Sequence, residues 1–540
     1  MLNAHPLFHN ITCTYMDGRL LLLTILLIMT MNSHINLITP RTCTVSALRF
    51  DGSTAGANIK HTQPSKTAVL NLSPNKKNDE TSKISSSLQE FKKKYSHQPL
   101  FIQAVEEMAS SLNPLFQHPT KGSYYKKAFL VLLEPERIIS FRVPWVDDNG
   151  KLHINKGYRV EFSSALGPFK GGLRFHPSVD ESVLKFLAFE QIFKNALTGL
   201  PLGGGKGGSD FDPKGKSNNE IMRFCESFMI ELYRYLHPST DVPAGDIGVG
   251  GRELGFLYGQ YKRLTNRHGE GVLTGKPISI NGSHFRPEAT GYGLIYIAKL
   301  AIEDKKKATL NGSRCAISGS GNVAQYAADK LIEFGAKVIT MSDSNGVLVF
   351  PNGMTKDDWK EIIKAKQIQR QRLSGIQDKV SGYYVKNKSP WTLPFDIKYD
   401  YAFPCATQNE IDENGASLLI KERSICGIFE GANLPIDLGG QSIIRANGDN
   451  VIYIPGKASN AGGVGVSGFE MTQNAQKLVW SPTDVDEKLQ SLMVHIYQQL
   501  VDVSDNSNGN GDCNLELGAN QAGFLRVVEA MKDLGWLEQE

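Results

Sequence analysis

Apolar residues recur along the chain in two patterns, one with helical spacing and one in short strand-like runs. In the first half they predict an amphipathic helix, two strands joined by a hairpin turn, and two further helices, at residues 84–112, 138–145, 158–162, 180–198 and 218–236. The helix at residues 218–236 carries an apolar stripe typical of a core-facing surface. This half is therefore expected to hold a sheet of modest strands with helices attached.

The second half alternates helices and strands. A helix at residues 294–302 is followed by a strand at 314–319, a helix at 325–334 and a strand at 336–341, and the chain closes with a helix at 523–531. A strand, helix and strand in succession are typical of a parallel sheet of the Rossmann type. The predicted fold class is α/β, with two domains, an N-terminal α/β domain and a Rossmann-like dinucleotide-binding domain.

The N-terminus has a composition unlike the rest. Arg19 precedes a mostly apolar run at residues 20–31, which is too short to span a bilayer but resembles the apolar part of a secretory signal. Residues 32–78 are rich in Ser, Thr, Asn, Lys and Arg, with Asp51 as the only acid, as in a transit peptide. The sequence predicts a signal and transit extension that directs the chain to a plastid bounded by extra membranes, such as an apicoplast; a mitochondrion or the cytoplasm is the alternative.

A chain of 540 residues with 41% hydrophobic and 21% charged residues can bury two domain-sized cores. The predicted divisions are a targeting extension at 1–84, a substrate-binding and oligomerisation domain at 85–285, a dinucleotide-binding domain at 286–510 and a C-terminal helix at 511–540 that returns to the first domain. The mature form is expected to need no membrane.

Charge and cysteine usage narrow the class of protein. The formal net charge is +4 and the basic residues are spread out, which gives no support to nucleic-acid binding. The seven cysteines are scattered, and no two have the spacing Cys-x-x-Cys. We therefore expect neither a disulfide framework nor a metal site.

The most informative segment is PLGGGKGGSD at residues 201–210, in which Lys206 stands among five glycines. Such a density of glycine suits a loop in which the backbone takes unusual conformations or lets a ligand come close. A phosphate-binding P-loop is excluded because Lys206 is followed by glycine and Leu200 stands where its first glycine would be. The segment predicts an active-site lysine in a glycine loop.

Three more ionisable residues, Lys170, Lys194 and Asp246, occur in or beside glycine-rich turns or short apolar helices. Lysines that converge on one cleft make a strong site for an acidic ligand. Their mutual repulsion and partial burial also lower the pKa of the least compensated lysine, which can then act as a base near neutral pH.

A dinucleotide fingerprint follows the strand at 314–319. The sequence Gly319-Ser320-Gly321-Asn322-Val323-Ala324 opens a helix, with alanine in place of the third glycine. An acid, Asp343, lies 24 residues after Gly319, where a carboxylate usually binds the ribose 2′-hydroxyl of NAD. The segment predicts that the pyrophosphate of a dinucleotide binds at the N-terminus of this helix.

In this order the lysines, the aspartate and the Rossmann motif resemble the small-subunit, hexameric glutamate dehydrogenases, specifically the NADP-dependent branch. The resemblance covers residues 85–540 and is densest at residues 201–217, 241–251, 286–293 and 460–474. It implies a homohexamer that interconverts L-glutamate with 2-oxoglutarate and ammonium, using NADP(H).

The resemblance also implies roles for residues that match the family. Lys170 and Ser467 would hold the γ-carboxylate of glutamate, and Val464 would also contact the substrate. Lys194 with Gln191 would hold the α-carboxylate. Two carboxylates need two cationic anchors, which fits a dicarboxylic substrate.

By the same resemblance, Lys206 would polarise the 2-oxo oxygen and assist water attack on an imine, and Asp246 would move protons to and from the amino group. The residues implied in cofactor binding lie around the Rossmann motif and on the glycine-lysine segment; they are Thr290, Gly319, Gly321, Asn322, Val323, Ser342, Asp343, Ser344, Asn433 and Lys214.

The position of Asp343 and the family resemblance favour different cofactors. The position of Asp343 favours NAD(H), but Ser342 and Ser344 beside it resemble the NADP-specific members, and Lys214, Lys364 or Arg370 could neutralise a 2′-phosphate. We expect NADP(H). The alternatives are an NAD-dependent glutamate dehydrogenase, a related leucine, valine or phenylalanine dehydrogenase, and a catalytically inactive relative with a regulatory role.

Overall fold

The computed structural model describes residues 77–394, 396–448, 450–508 and 514–537. Most of the targeting extension predicted at 1–84 therefore lies outside the described residues. Within these ranges no helix combines the length and the hydrophobicity that crossing a membrane requires.

The first sheet has five strands in the order β1-β2-β4-β3-β5. Their bounds are β1 Arg137–Val146, β2 Leu152–Ser163, β3 Phe169–Phe175, β4 Gly203–Ser209 and β5 Asp241–Gly245. β1 pairs with β2, and β2 with β4, in antiparallel fashion, whereas β3 runs parallel to both β4 and β5. The predicted hairpin is confirmed by the β1–β2 pair.

Six helices accompany this sheet. They are α1 Lys77–Lys94, α2 Pro99–Phe116, α3 Gly122–Val131, α4 Glu181–Leu197, α5 Asn218–Leu232 and α6 Gly251–Thr265. α4 packs against β2 and β4 and is buried along almost its whole length. α5 packs against β1 and α6, and its buried side includes Phe224 and Phe228. The apolar stripe of α5 is core, as predicted.

The amphipathic segment at 84–112 forms two helices rather than one. α1 ends at Lys94, and α2 begins at Pro99, which occupies the first turn. Proline lacks the N–H that a continuing helix would need, but it is well suited to a first turn. The helical periodicity of the segment is confirmed, but the sequence analysis did not predict that the helix is interrupted before Pro99.

The glycine cluster is not a loop. Residues Gly203–Ser209 form strand β4, which is fully buried between β2 and β3. The prediction of a loop was wrong because composition alone does not show that the neighbouring strands and α4 approach this backbone too closely for side chains.

The second sheet has seven strands in the order β12-β11-β10-β6-β7-β8-β9. Their bounds are β6 Arg314–Ile317, β7 Lys337–Asp343, β8 Gly346–Val349, β9 Tyr383–Lys386, β10 Tyr401–Phe403, β11 Gly427–Phe429 and β12 Ile452–Ile454. Strands β7, β6, β10, β11 and β12 are parallel, and β8 and β9 extend the sheet in antiparallel fashion. The chain leaves β6 toward β7 and later returns on its other side to β10, so the carboxyl ends of β6 and β10 border a crevice suited to a dinucleotide.

The helices that follow are α7 Ala289–Lys306, α8 Asn322–Glu333, α9 Lys356–Ile363, α10 Glu413–Ser417, α11 Leu438–Arg445, α12 Gly456–Ser459, α13 Gly462–Gln476, α14 Pro482–Asn508 and α15 Leu515–Asp533. α15 packs on α14 and also on α2 and α4 beside the first sheet. The two-domain α/β fold class is confirmed. The boundaries at 285/286 and 510/511 stay predictions.

Candidate active site

A cavity of about 1470 Å³ is lined by strands, turns and helices associated with both sheets. Its lining includes eleven lysine and arginine residues but only three aspartates and glutamates. Such an excess of cations in a partly desolvated cleft is unfavourable unless an anion compensates it. The cavity is therefore built for an acidic ligand.

Lys206 and Asp246 meet inside this cavity. The Nζ atom of Lys206, on β4, lies 2.7 Å from Oδ2 of Asp246, just after β5, and Arg174 Nε lies 3.4 Å from the same oxygen. Burial lowers the pKa of Lys206, and Arg174 lowers it further, although Asp246 opposes both. Burial alone would raise the pKa of Asp246, but Arg174 and Lys206 together hold it below its ordinary value. Arg174 was not singled out from the sequence.

The glycines around Lys206 make room on both faces of β4. On one face Arg159 of β2 crosses the strand to pair with Asp241 of β5, at 2.7 and 2.5 Å. A Cβ on Gly207 would lie 3.0 Å from Arg159 Cδ. On the other face, a Cβ on Gly204 would lie 2.9 Å from the Cα of Ile192 on α4. Only glycine allows these close approaches.

Lys170, on β3, is fully buried at the inner end of the cavity. Its ammonium donates to Val242 O at 2.9 Å and to Thr274 Oγ1 at 2.7 Å. Burial lowers the pKa of Lys170 well below its ordinary value, and Arg286 lowers it further. A carboxylate that entered here would supply the missing negative charge.

Ser467 and Val464 reach the same cavity from α13. Arg286 Nε donates to Ser467 Oγ at 2.8 Å, so Arg286 joins Ser467 and Lys170 in one cationic group. Arg286 belongs to a motif recognised in the sequence but was given no role there. Its position directly before Pro287 at the start of α7 was the available signal.

Gln191 and Lys194 lie on α4 and also line the cavity. Lys194 Nζ donates to Asn433 Oδ1 at 2.8 Å, which links α4 to the turn after β11. Burial lowers the pKa of Lys194 to about 7, with a further lowering from Lys206. Gln191 Nε2 donates to Asn195 Oδ1 at 2.7 Å.

The predicted dinucleotide turn follows β6. Gly319 has φ +82°, which favours glycine, and a Cβ there would lie 3.1 Å from Ala406 in the turn after β10. Gly321 is the N-cap of α8, and no atom lies within 4 Å of where its Cβ would be. The cavity-lining cofactor candidates are Thr290, Gly321, Asn322, Val323, Asn433 and Lys214.

Gly319, Ser342, Asp343 and Ser344 lie behind this lining. Ser342 Oγ accepts from Gly319 N at 2.8 Å and so supports the turn. The carboxylate of Asp343 accepts from the backbone N–H groups of Asn345 and Leu373, both at 2.9 Å. Asp343 is thus engaged in holding its own loop.

A basic group surrounds this end of the cavity. Arg372 Nη1 donates to Ser344 Oγ at 2.7 Å. Burial lowers the pKa of Lys366, partly offset by Asp343, with further lowering from Arg372 and Lys214. Of the cations considered for a 2′-phosphate, Lys214 and Arg370 line the cavity, whereas Lys364 does not and lies 3.8 Å from Glu361. Binding of a 2′-phosphate by any of them stays a prediction. Lys366, two residues after Lys364, was missed because the helix continues as a wide turn over Lys364–Ile368.

The described ranges contain no cluster of three or more His, Cys, Asp or Glu side chains arranged to bind a metal.

Two family descriptions match the chain. Residues 135–263 match "Glu/Leu/Phe/Val dehydrogenase, dimerisation domain", and residues 281–535 match "Glutamate/Leucine/Phenylalanine/Valine dehydrogenase". The chain belongs to the Glu/Leu/Phe/Val dehydrogenase family.

Curated members of this family are similar over most of their length. The NADP-specific glutamate dehydrogenase of Chlorella sorokiniana is 51% identical over 81% of this chain and 81% of its own length. The NADP-specific glutamate dehydrogenase of Giardia intestinalis is 50% identical over 82% of this chain and 97% of its own length.

Solved structures of the family share the fold. Plasmodium falciparum glutamate dehydrogenase superposes with a TM-score of 0.80 at 45% identity, covering 87% of this chain and 98% of that one. Plasmodium falciparum glutamate dehydrogenase 2 gives 0.77 at 49% identity, covering 86% and 99%.

Proposed function

We propose that this member of the Glu/Leu/Phe/Val dehydrogenase family is an NADP-specific glutamate dehydrogenase. It catalyses the reversible oxidative deamination of L-glutamate to 2-oxoglutarate and ammonium. The observation that carries the proposal is the Lys206–Asp246 pair, 2.7 Å apart, in a cavity that also holds Lys170 and Lys194. A reactive pair between two buried cations suits a substrate with a carboxylate at each end.

The substrate class follows from the inner end of the cavity. Lys170 has no exposed surface, and Arg286 stands close enough to lower its pKa. An apolar side chain of leucine, valine or phenylalanine would leave these two cations without an anion, which is costly. A γ-carboxylate held by Lys170, Arg286 and Ser467 removes that cost, so glutamate is favoured over the apolar amino acids of the same family.

At the other end, Lys194 with Gln191 holds the α-carboxylate. A pKa of about 7 means that the Lys194 ammonium is only partly charged at neutral pH before the substrate arrives. The anion raises this pKa on binding. Substrate binding and proton uptake at Lys194 are therefore coupled.

Lys206 donates a hydrogen bond to the 2-oxo oxygen and stabilises the negative charge that develops there when ammonia adds to the carbonyl. In the reverse direction the neutral Lys206 amine accepts the proton that water loses as it adds to the imine. Asp246 carries protons to and from the substrate nitrogen. With Lys206 and Arg174 beside it, Asp246 is a poor proton acceptor. It becomes a base only when the substrate draws the Lys206 ammonium away. Proton transfer therefore takes place only when substrate is bound.

The residues around the Gly319 turn fit NADP(H). The open space at Gly321 and the N-terminus of α8 suit a pyrophosphate, and Asp343 is occupied by backbone N–H groups. Thr290 and Asn433, which line the cavity, would contact the nicotinamide end. Lys214, Lys366 and Arg372 supply positive charge for a 2′-phosphate. When bound, the nicotinamide would accept or supply the hydride at Cα.

The homohexamer remains part of the proposal. In support, residues 135–263 match a dimerisation domain, and β1 is an edge strand next to exposed Leu152 and Ile154 on β2. A strand edge that is exposed in one subunit and flanked by apolar side chains is usually covered by a neighbouring subunit. Light scattering on the purified protein is expected to give a mass of six chains, and a monomer would contradict the proposal.

Targeting is likewise a proposal, and it rests on the sequence of residues 1–84 alone. A fluorescent protein fused to residues 1–85 is expected to accumulate in a plastid-like organelle. Diffuse cytosolic fluorescence would contradict it, and mitochondrial fluorescence would replace one organelle with the other.

The first test of the function is a spectrophotometric assay of the full chain with 2-oxoglutarate and ammonium, comparing NADPH with NADH at equal concentration. We expect fast oxidation of NADPH and slow oxidation of NADH. Preference for NADH would restore Asp343 to the ribose and remove the NADP assignment. No turnover with either cofactor would favour an apolar amino acid or a non-catalytic relative.

A further inference from the structure

Directly behind the α-carboxylate anchors lies a buried group of three charges that the proposed mechanism does not use. The Lys457 ammonium, on α12, lies 3.2 Å from Glu107 of α2 and 3.2 Å from Glu190 of α4. All three residues are buried, and Gln441 Nε2 donates to Glu107 at 3.3 Å. One ammonium thus serves two carboxylates.

Glu190 is placed to act on the substrate site. It immediately precedes Gln191 on α4 and lies one helical turn before Lys194, a spacing at which side chains are neighbours. A glutamate four residues before a lysine is also the more favourable order of the two. The burial of both residues strengthens their electrostatic interaction relative to a surface pair.

Four charged groups act most strongly on the Lys194 ammonium. Lys206 on β4 and Lys457 on α12 disfavour its ammonium, whereas Glu190 and, after β5, Asp246 favour it. Asp246 is itself paired with Lys206 and Arg174. Glu190 is in turn faced by Lys457 and Glu107, and burial raises its pKa while Lys457 opposes this. Asp246 is thus faced by two cations, whereas Glu190 shares one with Glu107, so Glu190 is the less compensated of the two carboxylates that favour the Lys194 ammonium.

We propose that Glu190 is a positioning residue that keeps the Lys194 ammonium charged for the substrate α-carboxylate, and that Lys457 holds Glu190 where it can do so. The inference rests on the proposed function, because it takes Lys194 to be a carboxylate anchor. It adds that substrate affinity depends on a carboxylate that does not touch the substrate.

The chain offers a matched pair of variants. E190Q and E107Q each remove one of the two carboxylates and leave Lys457 with one partner. Both variants therefore keep Lys457 beside one buried carboxyl group. Only E190Q removes the negative charge one turn from Lys194.

The measurement is the KM for 2-oxoglutarate from about pH 5.5 to about pH 8.5, at saturating NADPH and ammonium. 2-Oxoglutarate has no group of its own that titrates in this range. The rising part of the plot of KM against pH, called the limb below, therefore reports an ionisation of the enzyme. Lys194 is charged below its pKa, so the KM should rise as pH rises through that value. Loss of Glu190 lowers the pKa, and we expect the E190Q limb to fall by about one pH unit, which makes the KM at pH 8 about tenfold higher. The kcat should change far less, and E107Q should keep the limb of the unaltered enzyme.

An unchanged limb in E190Q, or equal shifts in E190Q and E107Q, would overturn the proposal. E190M removes the same charge without leaving a buried amide to be hydrogen-bonded, and it should shift the limb as E190Q does. If neither Glu190 variant folds while E107Q does, the role of Glu190 is in stability, and the proposal is wrong. An unaltered enzyme with no turnover would instead refute the proposed function, which separates the two failures.

Discussion

Two glycine-rich segments of this chain look alike in sequence and differ completely in structure. Residues 203–209 form the buried strand β4, whereas residues 319–321 form the turn between β6 and α8. In β4 the glycines let neighbouring side chains and backbone come close, as with Arg159 against Gly207. In the turn, Gly319 supplies a positive φ and Gly321 leaves space open to the cavity.

The difference shows that glycine serves packing in one place and ligand access in the other. β4 fixes Lys206 within a sheet whose register also sets Lys170 and, beyond β5, Asp246. The turn carries no titratable side chain and offers backbone N–H groups instead. Changes near β4 should therefore alter chemistry or stability, whereas changes near the turn should alter cofactor binding.

The largest effect is expected at the reacting pair. K206A removes the donor to the 2-oxo oxygen, and D246N removes the proton carrier, so each should lower kcat by a factor on the order of 10³. Steady-state kinetics with 2-oxoglutarate, ammonium and NADPH measure it, with thermal unfolding as the control for folding. Turnover within a few-fold of the unaltered enzyme in both variants would make the mechanism wrong.

On the neighbouring strand, K170L tests the γ-carboxylate anchor. It should lower kcat/KM for glutamate by about 100-fold, because a charged hydrogen-bonded contact is lost and only Arg286 and Ser467 remain to hold the carboxylate. Activity on norleucine or methionine should fall far less. Equal losses on all three amino acids would contradict the assignment of Lys170.

At the cofactor end, K366M/R372M tests the basic group beside Ser344. The double variant should raise the KM for NADPH by about 30-fold, because two charged contacts to the 2′-phosphate are lost, and should leave the KM for NADH nearly unchanged. Lys364, exposed and paired with Glu361, gives the matched control K364M, which should change neither value. A parallel rise for both cofactors would place these cations elsewhere on the dinucleotide.

The smallest effects compare the two glycine segments directly. In G207A the new Cβ would meet Leu173 Cδ2 and Tyr158 O, both at 2.8 Å, so the free energy of unfolding should fall by about 2 kcal/mol. In G321A, where φ is −79° and no atom lies within 4 Å, stability should stay within about 0.5 kcal/mol.

The effect of G321A on cofactor binding is the second part of this comparison. G321A should raise the KM for NADPH by about tenfold, because the methyl group occupies the path of close approach. Chemical denaturation and cofactor titration measure the two halves. A destabilised G321A with unchanged cofactor KM would reverse the roles that we assign to the two segments.

Much of the site was predictable because its residues sit in motifs with local signatures. The dinucleotide turn could be located from a strand, a spaced pair of glycines and a helix, which are all properties of neighbouring residues. Lys206 and Asp246 could be singled out by their glycine contexts, but their pairing could not be derived from those contexts. Arg174 was missed as a site residue because nothing local distinguishes it from other arginines, whereas Arg286 lies in a recognised motif but was given no role.

Hydrophobic periodicity and turn chemistry are local, so the α/β class, most of the elements and the candidate residues could be predicted from the sequence. Three features became visible only in the folded chain: the glycine cluster is a strand, Lys366 and Arg372 but not Lys364 line the cavity, and Asp343 is already bound by backbone N–H groups. These outcomes depend on which distant segments approach one another. The burial and charge that set the pKa of Lys194 arise from the same approach, since they combine α4 with β4, α12 and the turn after β5.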